Sequence, residues 1–140
     1  MKRRDLLIMS AATLTLSGTA AAAADGWTDA SPDDVLLALS RGETVFVDFA
    51  ADWCTTCRAQ ERVINALLEE NPAYGEAVNF MRLDWDKHGR SELAQVLNVP
   101  RRSTLIVLKG EREYGRIVAG TQRGAIKELM DTALQTAQSS

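Results

Sequence analysis

Apolar positions along the chain follow two spacings, which predict two kinds of secondary-structure element. Nearly continuous apolar runs, typical of strands buried on both faces, predict strands. These strands cover residues 44–50, 78–85, 104–108 and 114–119. Apolar residues three and four positions apart predict amphipathic helices. The helices begin at Ser31, at Cys54, near Leu93 and near Thr121.

The order of the predicted elements is α-β-α-β-α-β-β-α, and this order predicts the fold class. Strands that alternate with helices pair in parallel, because the intervening helix carries the chain back along the sheet. A turn at 109–111 joins the last two strands as a hairpin and adds an antiparallel edge. We therefore expect an α/β fold of three layers, with a central mixed sheet and helices on both faces.

The first 24 residues predict a cleavable export signal. Basic residues at positions 2–4 precede a short apolar segment, and small residues at 20–24 offer a cleavage site. The apolar segment at 6–16 is too short to cross a bilayer as a helix, so we expect no membrane anchor after cleavage. The adjacent arginines resemble a twin-arginine signal, and an ordinary secretory signal has a similar pattern. The expected product is one periplasmic domain of residues 25–140.

Charge and composition narrow the function classes. The formal net charge is −3 in 140 residues, whereas a nucleic-acid-binding domain normally carries a basic surface. We therefore expect no nucleic-acid partner. The chain also lacks a flavin or nicotinamide motif.

Cys54 and Cys57 are the only cysteines, and they lie where a strand passes into a helix. The positive end of a helix stabilises a thiolate, and the second thiol is within reach to close a disulfide. We expect Cys54, at the first helical position, to be the nucleophile and Cys57, one turn on, to resolve the mixed disulfide. Asp48 on the preceding strand is either a partly exposed acid or a buried proton acceptor for Cys57. Trp53 suits simple packing or a flat apolar lip beside the nucleophile.

Two other interpretations of the cysteine pair remain open. A structural disulfide is natural in an exported protein, but closing so short a loop stabilises a fold by only about 2 kcal/mol in the chain-entropy model. Binding of a soft metal, as copper or as an iron–sulfur cluster shared by two chains, is the alternative function. A structural zinc site needs four ligands. The chain offers only one histidine, His88, which is most simply a polar loop residue, so we assign no metal ligand.

The segment around the cysteines resembles the active-site signature of the thioredoxin family, with Val47-Asp48-Phe49 followed by Ala51-Asp52-Trp53-Cys54-x-x-Cys57. Together with Leu97-Asn98-Val99, it is most similar to the C-terminal thioredoxin-like domain of the bacterial transmembrane thiol–disulfide interchange reductase. The resemblance implies a thioredoxin-like fold, the roles given above for Cys54, Cys57 and Asp48, and no cofactor beyond the redox-active disulfide. It also implies that Arg82 replaces a lysine near the buried acid. A direct pair with Arg82 would keep the Asp48 carboxylate ionised.

The chain departs from the family pattern at two places. Thr55-Thr56 stands between the cysteines in place of Gly-Pro. Ser103 stands where the family has a cis-proline facing the disulfide, just before the strand that begins at Thr104. A cis bond without proline costs about 2.5–4 kcal/mol, so we expect a trans or rebuilt loop and altered substrate docking.

The loop before this strand also carries positive charge. Arg101 and Arg102 would lower the pKa of Cys54 or favour an acidic partner, unless the loop is simply solvated. We expect the site to be lined by Trp53, Arg102, Ser103 and Thr104.

These features predict an exported thiol–disulfide oxidoreductase that reduces protein or small-molecule disulfides or relays electrons. The resemblance alone implies the reductive direction. It also implies a membrane thiol reductase as the electron donor.

Overall fold

A computed structural model describes residues 26–139, and the predicted export signal at 1–24 lies outside these described residues. The strands are β1 Thr28–Asp29, β2 Thr44–Ala50, β3 Asn79–Asp84, β4 Thr104–Lys109 and β5 Arg112–Val118. They form one sheet in the order β1-β3-β2-β4-β5. β3 is parallel to both β1 and β2, whereas β4 is antiparallel to both β2 and β5. The prediction of an α/β fold with a central mixed sheet is confirmed.

The helices are α1 Pro32–Ser40, α2 Thr55–Glu70, α3 Ala73–Ala77, α4 Trp85–His88, α5 Glu92–Val96 and α6 Arg123–Gln138. Ser31 caps α1 as expected: its hydroxyl accepts a hydrogen bond from the Asp34 amide, and the Asp34 carboxylate accepts one from the Ser31 amide. Within residues 26–139, none of the helices has both the length and the apolar character needed to cross a membrane.

Helices pack on both faces of the sheet because side chains of each strand point alternately to opposite sides. Phe46 faces α2 and α6, where it joins the cluster that contains Ile64 and Met130. Val45 and Val47 face the other side, where they pack with Val35 of α1 and Leu93 of α5. Asp48, two positions after Phe46, therefore lies on the face of β2 that α2 covers.

Short elements are where the sequence-based prediction and the structure differ. β1, α3 and α4 are too short to show a hydrophobic period, and the sequence did not predict them. The strand predicted through residue 85 ends at Asp84, whose carboxylate caps α4. β5 begins at Arg112, earlier than predicted, because backbone pairing extends the hairpin through exposed polar residues.

The sheet brings together the two parts of the predicted site, which are the cysteine pair and the loop before β4. Phe49 pairs with Thr104 in the antiparallel register of β2 and β4. The loop before β4 therefore lies beside the end of β2 from which the chain enters α2.

Candidate active site

Cys54 and Cys57 lie at the start of α2, and both are buried free thiols. Cys54 is the N-cap rather than the first helical residue, and its Sγ accepts a hydrogen bond from the Cys57 amide at 3.2 Å. The sulfur of Cys54 thus takes the place of the oxygen that usually caps a helix. Together with the helix dipole, this amide favours negative charge on Cys54.

Ser103 contacts both sulfurs from the loop before β4. Its Oγ is 3.2 Å from Cys54 Sγ and 3.0 Å from Cys57 Sγ. No cis peptide bond occurs between residues 26 and 139, as expected for this loop without proline. Ser103 instead adopts a left-handed backbone conformation with a φ of 63°. The hydroxyl therefore lies against the dithiol, where the family pattern has an apolar ring.

The two thiols differ in acidity. Burial would raise the pKa of Cys54, but hydrogen bonds from Cys57 and Ser103, together with the nearby Arg102, lower it to about 7. Burial raises the pKa of Cys57, and its hydrogen bond to the Cys54 sulfur raises it further. Near neutral pH, a substantial fraction of Cys54 is therefore thiolate, whereas Cys57 keeps its proton. This division suits a nucleophile followed by a resolving thiol.

Asp48 is fully buried, which resolves the choice that the sequence left open between an exposed and a buried acid. Neither carboxylate oxygen has a hydrogen-bond partner among the described residues. Burial raises the pKa of Asp48 well above its ordinary value, and the charge of Glu61 adds to the effect while Arg82 partly opposes it. Asp48 thus has the raised pKa that a buried proton acceptor needs.

The expected direct pair between Asp48 and Arg82 is not formed. The Arg82 Nε donates to Glu61 Oε1 at 2.7 Å, and its Nη2 donates to Asp52 Oδ1 at 3.1 Å. The guanidinium thus pairs with Glu61 of α2 in place of the buried acid. The predicted direct pair is therefore wrong: Arg82 acts on Asp48 only at a distance, through its charge.

Trp53 and Arg102 form the exposed side of the site. The guanidinium carbon of Arg102 lies 4.5 Å from the centre of the Trp53 ring, in a cation–π contact. The Trp53 Nε1 donates to Asp86 Oδ2 at 2.9 Å. Because Trp53 remains 55% exposed, its ring is open to a partner that approaches Cys54.

The other two residues, Arg101 and Thr104, form hydrogen bonds within the loop. Thr104 is fully buried, and its hydroxyl donates to the Arg101 carbonyl oxygen at 2.7 Å. It therefore closes the turn and does not line an open site, contrary to expectation. The Arg101 Nε donates to the Arg102 carbonyl oxygen at 3.1 Å, whereas Arg102 lowers the pKa of Cys54.

Sequence reasoning missed three residues that shape the site: Gln60, Glu61 and Asp86. Gln60 is fully buried, and its Nε2 donates to the carbonyl oxygens of Ser103 and Gly120. A signal for Gln60 exists in the sequence, because it falls on the buried stripe of α2 between Cys57 and Ile64. Glu61 and Asp86 carry no such signal, since charged residues on exposed faces are common.

Comparison with known proteins agrees with this geometry. The family model for thioredoxin matches residues 29–132, and the chain belongs to the thioredoxin family. It is 35% identical to a thioredoxin of Echinococcus granulosus over 98 residues, which cover 69% of this chain and 85% of that protein. It is 38% identical to thioredoxin-2 of Saccharomyces cerevisiae over 101 residues, which cover 72% and 89%. The structure of Trxlp from Edwardsiella tarda EIB202 matches with a TM-score of 0.62 and 29% identity, covering 74% of this chain and 97% of that one.

The fold and the site therefore define a thioredoxin-like thiol–disulfide oxidoreductase whose redox pair is Cys54 and Cys57. Thioredoxins act through their dithiol without a cofactor. Among residues 26–139, no group of three or more His, Cys, Asp and Glu side chains is arranged to hold a metal ion. The family implies protein disulfides as substrates.

Proposed function

We propose that this chain is an exported reductase that receives electrons from a membrane thiol reductase and passes them to disulfides in the periplasm. The observation that supports the thiol chemistry is the position of Cys54 at the N-cap of α2. There the Cys57 amide, the Ser103 hydroxyl and Arg102 all favour the thiolate. The partner and the compartment correspond to those of the bacterial interchange reductase whose domain the active-site segment resembles.

The proposed reaction transfers two electrons in two exchange steps. The Cys54 thiolate attacks one sulfur of the substrate disulfide, and the substrate's second sulfur leaves as a thiolate that takes up a proton. Asp48 accepts the proton of Cys57, and the Cys57 thiolate attacks Cys54 Sγ. The Cys54–Cys57 disulfide forms as the bond between Cys54 Sγ and the substrate sulfur breaks. That sulfur leaves as a thiolate and takes up the proton held by Asp48, so the substrate is released as a dithiol. Two electrons from the membrane thiol reductase then regenerate both thiols.

The pKa of Cys54 supports the reductive direction. Among Cys-x-x-Cys proteins, the nucleophile of thioredoxin has a pKa of about 7, and that of a strong periplasmic oxidant has a pKa of about 3.5. The more a fold stabilises the thiolate, the more it favours the reduced form and the more oxidising the couple becomes. A pKa of about 7 for Cys54 therefore supports a reductant rather than a strong oxidant.

Support for export comes from residues 1–24 and is independent of the site. Their basic, apolar and small-residue segments follow the order of a cleavable signal. Fractionation of cells that express the full chain tests this part of the proposal. We expect a shortened product in the periplasmic fraction. An uncleaved chain in the cytoplasm would contradict export, and loss of export in an Arg3→Lys/Arg4→Lys variant would identify the twin-arginine route.

Turnover and reduction potential test the chemistry. The purified protein should reduce a model protein disulfide with dithiothreitol as the electron source, and the Cys54→Ser/Cys57→Ser variant should not. We expect the couple to lie near the thioredoxin value of about −270 mV rather than the oxidant value of about −120 mV. No turnover by the folded protein would exclude the oxidoreductase function in this chain. A potential near the oxidant value would reverse only its direction.

A further inference from the structure

Ser103 offers the dithiol a group that can donate and accept at once. A hydroxyl has one donor hydrogen and two acceptor lone pairs. With 3.2 Å to Cys54 Sγ and 3.0 Å to Cys57 Sγ, it can donate to a Cys54 thiolate while it accepts from the Cys57 thiol. A proline ring at this position could do neither.

The backbone of Ser103 is held in a conformation that non-glycine residues rarely adopt. Its φ of 63° lies in the left-handed region. The Ser103 amide donates to the Phe49 carbonyl oxygen at 2.7 Å, and its own carbonyl oxygen accepts from the Ala119 amide at 2.8 Å. These bonds tie the loop to the end of β2 on one side and to the end of β5 on the other.

Gln60 supplies the third tie. Its Nε2 donates to the Ser103 carbonyl oxygen at 3.0 Å and to the Gly120 carbonyl oxygen at 2.9 Å, so one side-chain amide joins both loops. A fully buried amide is costly unless it is hydrogen-bonded. The neighbours of Gln60 on the buried stripe of α2 are Cys57, Ile64 and Leu67, among which an apolar residue would pack without that cost. The loop carbonyls give the amide its role.

We propose that Gln60 is a positioning residue that holds the Ser103 hydroxyl between the two sulfurs, and that this hydroxyl stabilises the Cys54 thiolate. Ser103 and Gln60 thus form a polar latch in place of the family's proline. The proposal rests on the thiol–disulfide exchange proposed above but not on its compartment or direction. The hydrogen bond between Ser103 and Cys54 also lowers the pKa of the Cys54 thiol, as a stabilised thiolate requires.

The test is the pH dependence of the Cys54 thiolate, followed by its absorbance near 240 nm and by its rate of alkylation. Ser103→Ala should lower the alkylation rate near pH 6 by about tenfold, the usual scale for one hydrogen bond to a charged group. Ser103→Gly also removes the hydroxyl but fits the left-handed backbone, so it should change the profile in the same direction and exclude backbone strain as the cause. Gln60→Met keeps the length and packing of the side chain, and it should lower the rate in the same direction by a smaller factor.

The double variant separates positioning from packing. If Gln60 acts through Ser103, then Gln60→Met/Ser103→Ala should titrate like Ser103→Ala alone. Thr136→Val is the matched control, since it removes a buried hydroxyl bond within α6, far from the sulfurs, and should leave the thiol profile unchanged. Gln60→Met that lowers thermal stability without moving the profile would overturn the role of Gln60. An unchanged profile in Ser103→Ala would overturn the latch even if Gln60→Met fails to fold.

The results that would contradict the polar latch differ from those that would contradict the proposed function. The titration needs no substrate or electron donor, whereas the function is tested by turnover and by cell fractionation. A protein that reduces disulfides normally but has the same thiol profile in Ser103→Ala keeps its proposed function and loses the latch.

Discussion

Asp48 and Arg82 lie opposite one another in the parallel register of β2 and β3, yet Arg82 bonds to Glu61 and not to Asp48. Asp48 therefore stays buried without a hydrogen-bond partner among residues 26–139. The arrangement leaves a carboxyl that holds its proton more tightly than a free aspartate does. Both the stability of the protein and the acid–base behaviour of the site depend on this relationship.

Asp48→Asn should stabilise the protein at high pH. Because burial raises the pKa of Asp48, the folded state binds this proton more tightly than the unfolded chain. Stability is then lost as the pH rises from the ordinary aspartate value of 3.8 toward the raised folded value. Asparagine does not ionise, so the variant should gain at least about 1 kcal/mol in free energy of unfolding near pH 9. We expect almost no gain near pH 4.

Denaturant unfolding at the two pH values measures this difference. Glu128→Gln, on the exposed surface of α6, is the control and should change stability by a similar small amount at both. If the stability that Asp48→Asn gains does not increase with pH, the raised pKa of Asp48 is contradicted.

Glu61→Gln should lower the pKa of Asp48. The substitution removes a negative charge that raises this pKa and frees Arg82 to act more strongly on the buried acid. Carboxyl NMR titration of the folded protein measures the change directly. Glu70 lies on α2 like Glu61 and forms an exposed ion pair with Arg123 of α6. Glu70→Gln breaks this pair and should leave the pKa of Asp48 unchanged. If the pKa of Asp48 stays constant or rises in Glu61→Gln, Arg82 is not held away by Glu61.

Alkylation of the reduced protein should follow the pKa of Cys54. The rate at Cys54 should rise about tenfold per pH unit below about 7 and level off above it, because only the thiolate reacts. Cys57 should react more slowly throughout, since burial raises its pKa. Peptide mapping after timed treatment with iodoacetamide distinguishes the two. An inflection near the ordinary thiol value of about 8.5 would show that the cap and the loop do not activate Cys54.

The two cysteines should differ in their ability to trap partners. Cys57→Ser leaves the nucleophile without a resolving thiol, so mixed disulfides should accumulate on Cys54. Cys54→Ser removes the nucleophile and should trap almost none. Non-reducing gels of cells that express each variant make the comparison. Equal trapping by the two variants would refute the assignment of nucleophile and resolver.

The α/β class and the place of the dithiol followed from the sequence because both depend on neighbouring residues. Hydrophobic spacing predicted the bounds of β2 and very nearly the start of α2, and Cys54 falls at their junction whatever the rest of the chain does. The sequence also showed that Ser103 replaces the family's cis-proline, and it predicted a trans or rebuilt loop there. Of the short elements, α5 was predicted, whereas β1, α3 and α4 show no hydrophobic period.

Which side chains meet was decided by the tertiary structure. Cys54 and Ser103 are 49 positions apart and come within 3.2 Å only because β4 pairs with β2. Arg82 lies opposite Asp48 in the strand register, but the packing of α2 against the sheet brings Glu61 within 2.7 Å of its Nε. Local pattern determines where a strand or helix forms, whereas hydrogen bonds between distant residues depend on how those elements pack. The sequence therefore determined the chemistry of the dithiol, and the packing around it decided which groups tune it.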